Sequence, residues 1–207
     1  GRLDPRSGRA ALSRQIIPSE FSPPYLKEAP NMTSKSASLA EKIRRSDDFI
    51  VAPGVFDMIS AKIADRMGFH ALYMTGSGTV ASHLGLPDAG IATYTDMVSR
   101  AGRIASGTQT PLIADADTGY GGPVNVRETV RGSEIAGVSA IQIEDQDFPK
   151  KCGHLSGHKL IPAEDMVTKI KVALDSRFSD DTLIIARTDA RKAIGKDEAM
   201  QIGRAHV

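Results

Sequence analysis

Short apolar segments alternate with longer amphipathic segments from residue 39 onward. The short segments are rich in β-branched residues, which is typical of buried strands. We predict five strands, at residues 49–53, 70–75, 111–115, 140–144 and 182–187. The segments between them carry apolar residues at helical spacing. This alternation predicts parallel βαβ units with helices covering the sheet.

Turn and capping residues indicate where several helices begin and end. Asp57 is a suitable N-cap for a helix that ends at Gly68. Thr95 is a plausible N-cap for the helix in "YTDMVSRAGRIAS". Pro123 suits the first turn of the following helix, and Gly137 suits its end.

Polar, acidic and glycine-rich residues follow the carboxyl ends of the last four predicted strands, in "TGSGT", "DADTGYGG", "EDQDFPKKCGH" and "RTDAR". A (β/α)8 barrel builds its site from that face of all its strands. A doubly wound sheet instead concentrates its ligand residues at one switch point. The pattern therefore favours an α/β fold of the (β/α)8 TIM-barrel type.

The predicted barrel domain covers residues 39–207 and contains about five βα units. Because such a barrel needs eight strands and about 250 residues, we expect the remaining strands to lie beyond Val207. Residues 1–38 are rich in Ser, Pro and Arg and show no sustained apolar period. They are predicted to form a flexible arm.

Composition excludes several kinds of partner. The 26 basic and 25 acidic residues give a net charge of +1, which provides no field to attract nucleic acid or an anionic membrane. No apolar run approaches the roughly 20 residues that span a bilayer. The single cysteine excludes an internal disulfide and a multi-cysteine zinc site. We expect a cytoplasmic protein, with a mitochondrial location as the alternative because the arm is rich in arginine.

Two acids leave an apolar strand together, at Asp115 and Asp117. Their spacing points both side chains the same way if the strand continues. Two carboxylates at one point repel unless a cation or a proton lies between them. Glu144 and Asp145 follow the next strand. The alternative is that these acids cap a helix or a turn, but the pattern favours a Mg2+ site, with Mn2+ as a substitute.

Three other segments carry weaker signals. The run Thr75–Thr79 follows a strand, and its backbone N–H groups could bind a carboxylate or a phosphate, but a plain loop is equally consistent with it. Asp88 follows a proline, which on local sequence alone indicates a turn. Arg187 ends the last strand, where it could bind a substrate carboxylate or pair with Asp189.

The lone cysteine, Cys152, lies in a charged loop. Lys150, Lys151 and a protonated His154 would lower the pKa of its thiol. Gly153 adds flexibility, and a mobile cationic loop suits a lid over an anionic substrate. A lone cysteine is more often buried and inert, but these neighbours favour a reactive thiol.

The ordered motifs "GVFD", "TGSGTVASHLGLPDAG", "DADTGYGG", "IEDQ", "KKCGH" and "ARTDA" resemble the isocitrate lyase/phosphoenolpyruvate mutase superfamily. The resemblance covers roughly residues 39–205 and is nearest to the 2-methylisocitrate lyase-like, dimethylmalate lyase-like and oxaloacetate acetylhydrolase-like members. It implies a (β/α)8 barrel, dependence on Mg2+ and chemistry on a small α-oxy-carboxylate. It also implies a homo-oligomer, a tetramer, for the full-length form.

The resemblance assigns roles residue by residue. The metal-site residues would be Asp115, Asp117 and, through water, Glu144. The residues that contact substrate or shape its pocket would be Thr75, Gly76, Ser77, Asp88 and Gly153. The catalytic residues would be Tyr73, Lys151, Cys152, His154 and Arg187. In the implied reaction Tyr73 is a candidate base, Arg187 stabilises the enolate and Cys152 protonates carbon.

The "KKCGH" pattern favours carbon–carbon cleavage, by a lyase or a hydrolase, over phosphorus–carbon chemistry. The expected substrates are small 2-hydroxy or 2-oxo di- or tricarboxylates such as 2-methylisocitrate, dimethylmalate or oxaloacetate. Two alternatives stay open: a phosphonomutase of the same superfamily, and a catalytically inactive barrel fragment.

Overall fold

The computed structural model describes residues 32–45 and 49–205. In chain order these residues form α1 (Met32–Arg45), β1 (Gly54–Val55), α2 (Met58–Asp65), β2 (Leu72–Met74), α3 (Gly76–Leu84), α4 (Tyr94–Gly107), β3 (Leu112–Asp115), α5 (Pro123–Ile135), β4 (Ala140–Glu144), α6 (Ala163–Ser176), β5 (Leu183–Arg187), α7 (Ala190–Ile194) and α8 (Lys196–Ala205). None of the helices within these ranges is long and apolar enough to cross a membrane.

The five strands form one parallel sheet in the order β1-β2-β3-β4-β5. Each strand therefore pairs with its neighbours along the chain. A doubly wound sheet reverses its order at a switch point, and this sheet does not reverse. Strands that are always added on the same side are the arrangement of a (β/α) barrel. The predicted fold class is confirmed, with five consecutive strands of the barrel present.

The apolar runs located four of the strands correctly. The predicted strand at residues 49–53 is wrong, because β1 is formed by Gly54 and Val55. Phe49 and Val51 are exposed, at 87% and 52%, whereas Ile50 and Ala52 are partly buried against the smaller core cluster. Pro53 also lacks the N–H group that a sheet ladder requires.

The predicted starts of α2 and α5 are confirmed, but α2 ends at Asp65, with Arg66 as its C-cap, rather than at Gly68. The Asp57 carboxylate accepts from the third residue of α2, as an N-cap should, and Pro123 begins α5. Thr95 is not the cap of α4. Thr93 takes that position and accepts from the N–H of Asp96, while the Asp96 carboxylate accepts from the N–H of Thr93. This reciprocal pair satisfies two free donors, which explains why the helix begins there.

The predicted boundary between arm and barrel lies inside α1. This helix begins at Met32 and is fixed by Lys35, whose buried ammonium donates to the carbonyls of Ala105 (2.9 Å) and Thr108 (2.5 Å). Leu39 is fully buried. Residues 32–38 are thus helical rather than a flexible arm, and the rest of the predicted arm lies outside the described residues.

Alternate residues of each strand face the two sides of the sheet. Leu72, Ile141 and Ile143 belong to the main core under the helices. Tyr73 and Ile113 belong to the smaller cluster on the other face, which is the inside of the barrel. The side chains that share this inner parity at the carboxyl ends of the strands are Asp115, Gln142, Glu144 and Arg187.

Candidate active site

The strand register brings the polar inner-face residues together. Asp115 on β3 is opposite Gln142 on β4, and Glu144 on β4 is opposite Arg187 on β5. Paired residues of adjacent strands lie about 5 Å apart. Four polar side chains from three strands therefore meet at the carboxyl end of the sheet.

Asp115 is held by donors from two neighbouring βα units. Its Oδ2 accepts from the Tyr73 hydroxyl (3.3 Å) and from the N–H of Gly76 (3.2 Å), and its Oδ1 accepts from the N–H of Asp117 (3.0 Å). A Cβ at Gly76 would lie 2.7 Å from Asp115 Oδ2, so this position requires glycine. The segment "TGSGT" is therefore not a loop but the first turn of α3, with Thr75 as its N-cap.

Lys150 lies in the centre of a second group of acids. Its ammonium forms ion pairs with Asp88 (2.6 Å) and with Asp117, and its side chain is only 4% exposed. Burial lowers the pKa of this ammonium, but the two carboxylates outweigh burial and the pKa is raised overall. Burial raises the pKa of Asp117 to about 6, although Lys150 opposes the shift.

Arg187 lies beside the acids of the first group, Asp115 and Glu144. One terminal nitrogen lies 3.3 Å from Glu144 Oε2 and 3.8 Å from Asp115 Oδ2. The opposite edge of the guanidinium donates to both oxygens of Asp189, at 3.0 and 3.1 Å. The sequence left two interpretations of Arg187 open, pairing with Asp189 or binding a substrate carboxylate. In the structure Arg187 pairs with Asp189 and also faces the site. Burial raises the pKa of Glu144 to about 8, with Arg187 opposing the shift.

The Cys152 loop lies over Arg187. A Cβ at Gly153 would come within 2.2 Å of the Arg187 guanidinium, so the backbone and the guanidinium are in direct contact. The Cys152 thiol is partly buried and lies 3.5 Å from Nδ1 of His154. The N–H of Cys152 donates to the carbonyl of Asp88 (3.1 Å), which ties the loop to the Lys150 group.

Lys151 does not take the position that the resemblance implied. Its ammonium is exposed and donates to the carbonyl of Gly157 (3.2 Å). The neighbouring Lys150 points into the site instead. An irregular loop has no periodicity that reveals which residue faces inward, so the sequence did not indicate the inward position of Lys150, and the catalytic role of Lys151 stays a prediction.

Tyr73 is placed in the site, but its surroundings suit a donor better than a base. Burial and the neighbouring Asp115 carboxylate raise the pKa of its hydroxyl, which disfavours the phenolate at neutral pH. The hydroxyl donates to Asp115 and accepts from Gln142 Nε2 (2.7 Å). Gln142 was missed by the sequence reasoning; its i, i+2 spacing from Glu144 was the signal that could have found it. Ser77 is exposed on α3.

The acids fit a hydrated cation rather than a closed cage. Among residues 32–45 and 49–205, no three His, Cys, Asp or Glu side chains lie close enough to bind a metal directly. Glu144 Oε1, however, is buried without a hydrogen-bond partner in this part of the chain. Buried acceptors are normally satisfied, and Mg2+ keeps several waters beside one or two carboxylates. Asp115, Asp117 and Glu144 therefore suit a Mg2+ ion bound partly through water.

A family model described as phosphoenolpyruvate phosphomutase matches residues 39–207, which include the whole described barrel. The chain belongs to the phosphoenolpyruvate phosphomutase family. This agrees with the superfamily that the ordered motifs resemble. The family match also covers each strand that contributes to the site.

Relatives within this family include enzymes that act on small carboxylates. The chain is 50% identical to 2,3-dimethylmalate lyase of Eubacterium barkeri, over 83% of this chain and 59% of that protein. It is similar to the structure of oxaloacetate acetylhydrolase with the inhibitor 3,3-difluorooxalacetate, with a TM-score of 0.77 and 44% identity over 82% of this chain and 60% of that one. It is similar also to phosphonopyruvate hydrolase in complex with oxalate and Mg2+, with a TM-score of 0.75 and 33% identity over 83% of this chain and 59% of that one.

The chain spans about 60% of the length of these relatives. The described residues of this phosphoenolpyruvate phosphomutase family member thus supply one continuous part of a site. That part contains the acids, the arginine and the cysteine loop.

Proposed function

We propose that the protein is a Mg2+-dependent lyase, or hydrolase, that breaks a carbon–carbon bond of a small 2-hydroxy or 2-oxo di- or tricarboxylate. The observation that carries the proposal is the contact between Arg187 and the Cys152 loop beside Asp115 and Glu144. The Arg187 guanidinium, two carboxylates and the loop that carries the Cys152 thiol lie together there. Candidate substrates are 2,3-dimethylmalate, 2-methylisocitrate and oxaloacetate.

The Mg2+ ion would be held by Asp115 and Asp117, with Glu144 acting through water. It would supply Lewis-acid polarisation of the substrate oxygens. The relative with oxalate and Mg2+ supports this choice of metal. Lys150 neutralises Asp88 and one side of Asp117, so the acids do not all have to be neutralised by the metal.

Each residue then has a defined task. Arg187 is oriented by Asp189, and its other terminal nitrogen, which faces Glu144 and Asp115, can donate to a substrate carboxylate and stabilise enolate charge as it develops. The Tyr73 hydroxyl donates to Asp115 and accepts from Gln142, and these two bonds orient it in the site. The Cys152 thiol, with His154 within 3.5 Å, is the proton donor to carbon.

A phosphonomutase is the second candidate, because the family model bears that description. Two observations favour carbon–carbon cleavage over it. In the structural alignments, identity is 45% to 2,3-dimethylmalate lyase and 34% to a phosphoenolpyruvate phosphomutase. The thiol at Cys152 also provides a proton donor, which a phosphoryl transfer within one molecule does not require.

The test is an activity assay of the longest native form of the protein. It is incubated with each of the three candidate substrates, with Mg2+ and with excess EDTA, and the keto acid or oxalate product is measured. We expect turnover of one substrate that EDTA abolishes. Cys152→Ala should lower kcat about 100-fold or more. Turnover of phosphonopyruvate, seen by 31P NMR, with none of the three carboxylates cleaved, would replace this proposal by the second candidate.

A further inference from the structure

Side chains engage an unusual run of carbonyl groups in the Cys152 loop. Four consecutive carbonyl oxygens, those of residues 151–154, each accept a hydrogen bond from a side chain. The donors are Gln146 Nε2 to residue 151 (2.9 Å), His158 Nε2 to residue 152 (3.1 Å) and Lys192 Nζ to residues 153 (3.2 Å) and 154 (2.9 Å). A loop on the surface can leave its carbonyls to water. Here protein donors fix the loop in one conformation.

The three donors connect the loop to different parts of the fold. Gln146 and His158 belong to the connection between β4 and α6 that contains the loop itself. Lys192 is on α7, after β5, and so it fastens the loop to the next βα unit. Its two acceptors directly follow Cys152, and no other partner of its ammonium occurs in the described part of the chain.

We propose that Lys192 is a positioning residue that holds the Cys152 loop closed over the carboxyl end of the sheet. The inference deepens the proposed function, on which its catalytic meaning rests. Lys192 does not touch Cys152 Sγ or the acids; it acts through the backbone of Gly153 and His154. When these two hydrogen bonds break, the loop can move away from Arg187 and carry the thiol out of the site.

Alkylation of Cys152 measures the position of the loop without any substrate. Removing the positive charge of Lys192 alone would make the nearby thiol less reactive and slow alkylation near neutral pH. Releasing the loop would instead expose the partly buried thiol and speed alkylation. The two effects separate in a pH profile, because the plateau rate at high pH, where the thiol is fully ionised, depends on access alone.

The experiment compares iodoacetamide labelling in wild type, Lys192→Met, Lys192→Arg and the control Lys171→Met, with labelling read by mass spectrometry of the peptide that contains Cys152. Lys171 is exposed on α6, whereas Lys192 is on α7. We expect the plateau rate of Lys192→Met to rise about five-fold, as for loss of a charge-assisted contact in a locally opening segment. Arginine should restore the wild-type rate, and Lys171→Met should leave it unchanged.

An unchanged or lower plateau rate in Lys192→Met overturns the inference. An equal rise in Lys171→Met also overturns it, because the effect would then be general loosening. The inference and the proposed function fail separately. If no candidate substrate is cleaved but the labelling changes as expected, Lys192 still holds the loop. If a substrate is cleaved and labelling does not change, the proposed function is supported and the positioning role of Lys192 is overturned.

Discussion

The Lys150 ammonium lies between two carboxylates that come from different loops, Asp88 and Asp117. All three side chains are almost completely buried, so each charge depends on the others in place of water. Lys151, next in sequence, has its ammonium in solvent. These two adjacent lysines should therefore contribute very differently to the free energy of unfolding.

Replacing Lys150 by Met should destabilise the protein by about 3 kcal/mol or more, because two buried carboxylates lose their partner. Lys151→Met removes the same charge from the surface and should change the free energy of unfolding by less than about 0.5 kcal/mol. Urea unfolding followed by circular dichroism measures both. If the two variants unfold at the same urea concentration, the buried position of Lys150 is wrong.

Gly153 is a second position where one atom decides the geometry. An alanine Cβ there would meet the Arg187 guanidinium at 2.2 Å, and the guanidinium cannot move without losing its two bonds to Asp189. We expect Gly153→Ala to lower kcat/KM about 10-fold or more, while the melting temperature changes little. Gly203→Ala is the control, since nothing lies within 4 Å of a Cβ at that position. Equal activities of the two variants would contradict the close contact.

At the scale of elements, α4 shows how a helix start is fixed by side chains. Thr93 and Asp96 form a reciprocal pair, whereas Thr95 lies inside the first turn. Thr93→Ala should cost about 1 kcal/mol of stability. Thr95→Ala deletes the same group from the exposed first turn and should cost less than about 0.5 kcal/mol. The difference between their urea midpoints checks which threonine is the cap.

The same cap predicts a pH dependence. The bonds from Thr93, with a smaller contribution from His83, hold the pKa of Asp96 below its ordinary value of 3.8. A carboxyl with a lowered pKa in the folded state stabilises the protein above its unfolded pKa, and that stability is lost as the pH falls through the folded pKa. Wild type should therefore exceed Asp96→Ala in unfolding free energy at pH 6, with a difference that shrinks below about pH 4. A difference that grows on acidification would contradict the assignment.

The sequence predicted elements well where burial alone decides them and less well where contacts between elements decide. Four strands follow directly from apolar runs. Helix α3 was missed because Gly76 and Gly78 are poor helix formers. In the fold, however, Gly76 is required by the close approach of Asp115 Oδ2. That requirement arises from β3, nearly forty residues later in the sequence, and no local pattern could reveal it.

The positions of the site acids could be predicted from the apolar strands that carry them. Two residues that lie beside these acids, Lys150 and Gln142, were not predicted in those places. Asp115 and Glu144 are the last residues of apolar strands, and parallel strands bring their carboxyl ends to one edge of the sheet. The choice of Lys150 over Lys151 depends instead on the path of an irregular loop. Gln142 could have been found from its spacing to Glu144, since both residues face the inside of the barrel.

For the whole molecule, the candidate site joins successive βα units through opposite charges. Asp115 ends β3 and Asp117 follows it, Glu144 ends β4 and Arg187 ends β5. Burial raises the pKa of Asp117 to about 6 and that of Glu144 to about 8, which means that the carboxylates are costly to hold in the fold without further cations. A cation that binds only the folded state would stabilise all of these units at once.

Mg2+ should therefore raise the melting temperature of the protein in a saturable way. At 100 times its dissociation constant, a ligand of the folded state adds about 2.7 kcal/mol. Asp115→Asn should remove most of this gain, because it deletes a carboxylate that no lysine neutralises. Asp165→Asn, on the exposed first turn of α6, removes the same charge away from the site and should keep the full gain. Differential scanning fluorimetry across a Mg2+ titration measures all three proteins, and an equal shift in both variants would show that Mg2+ binds somewhere other than these acids.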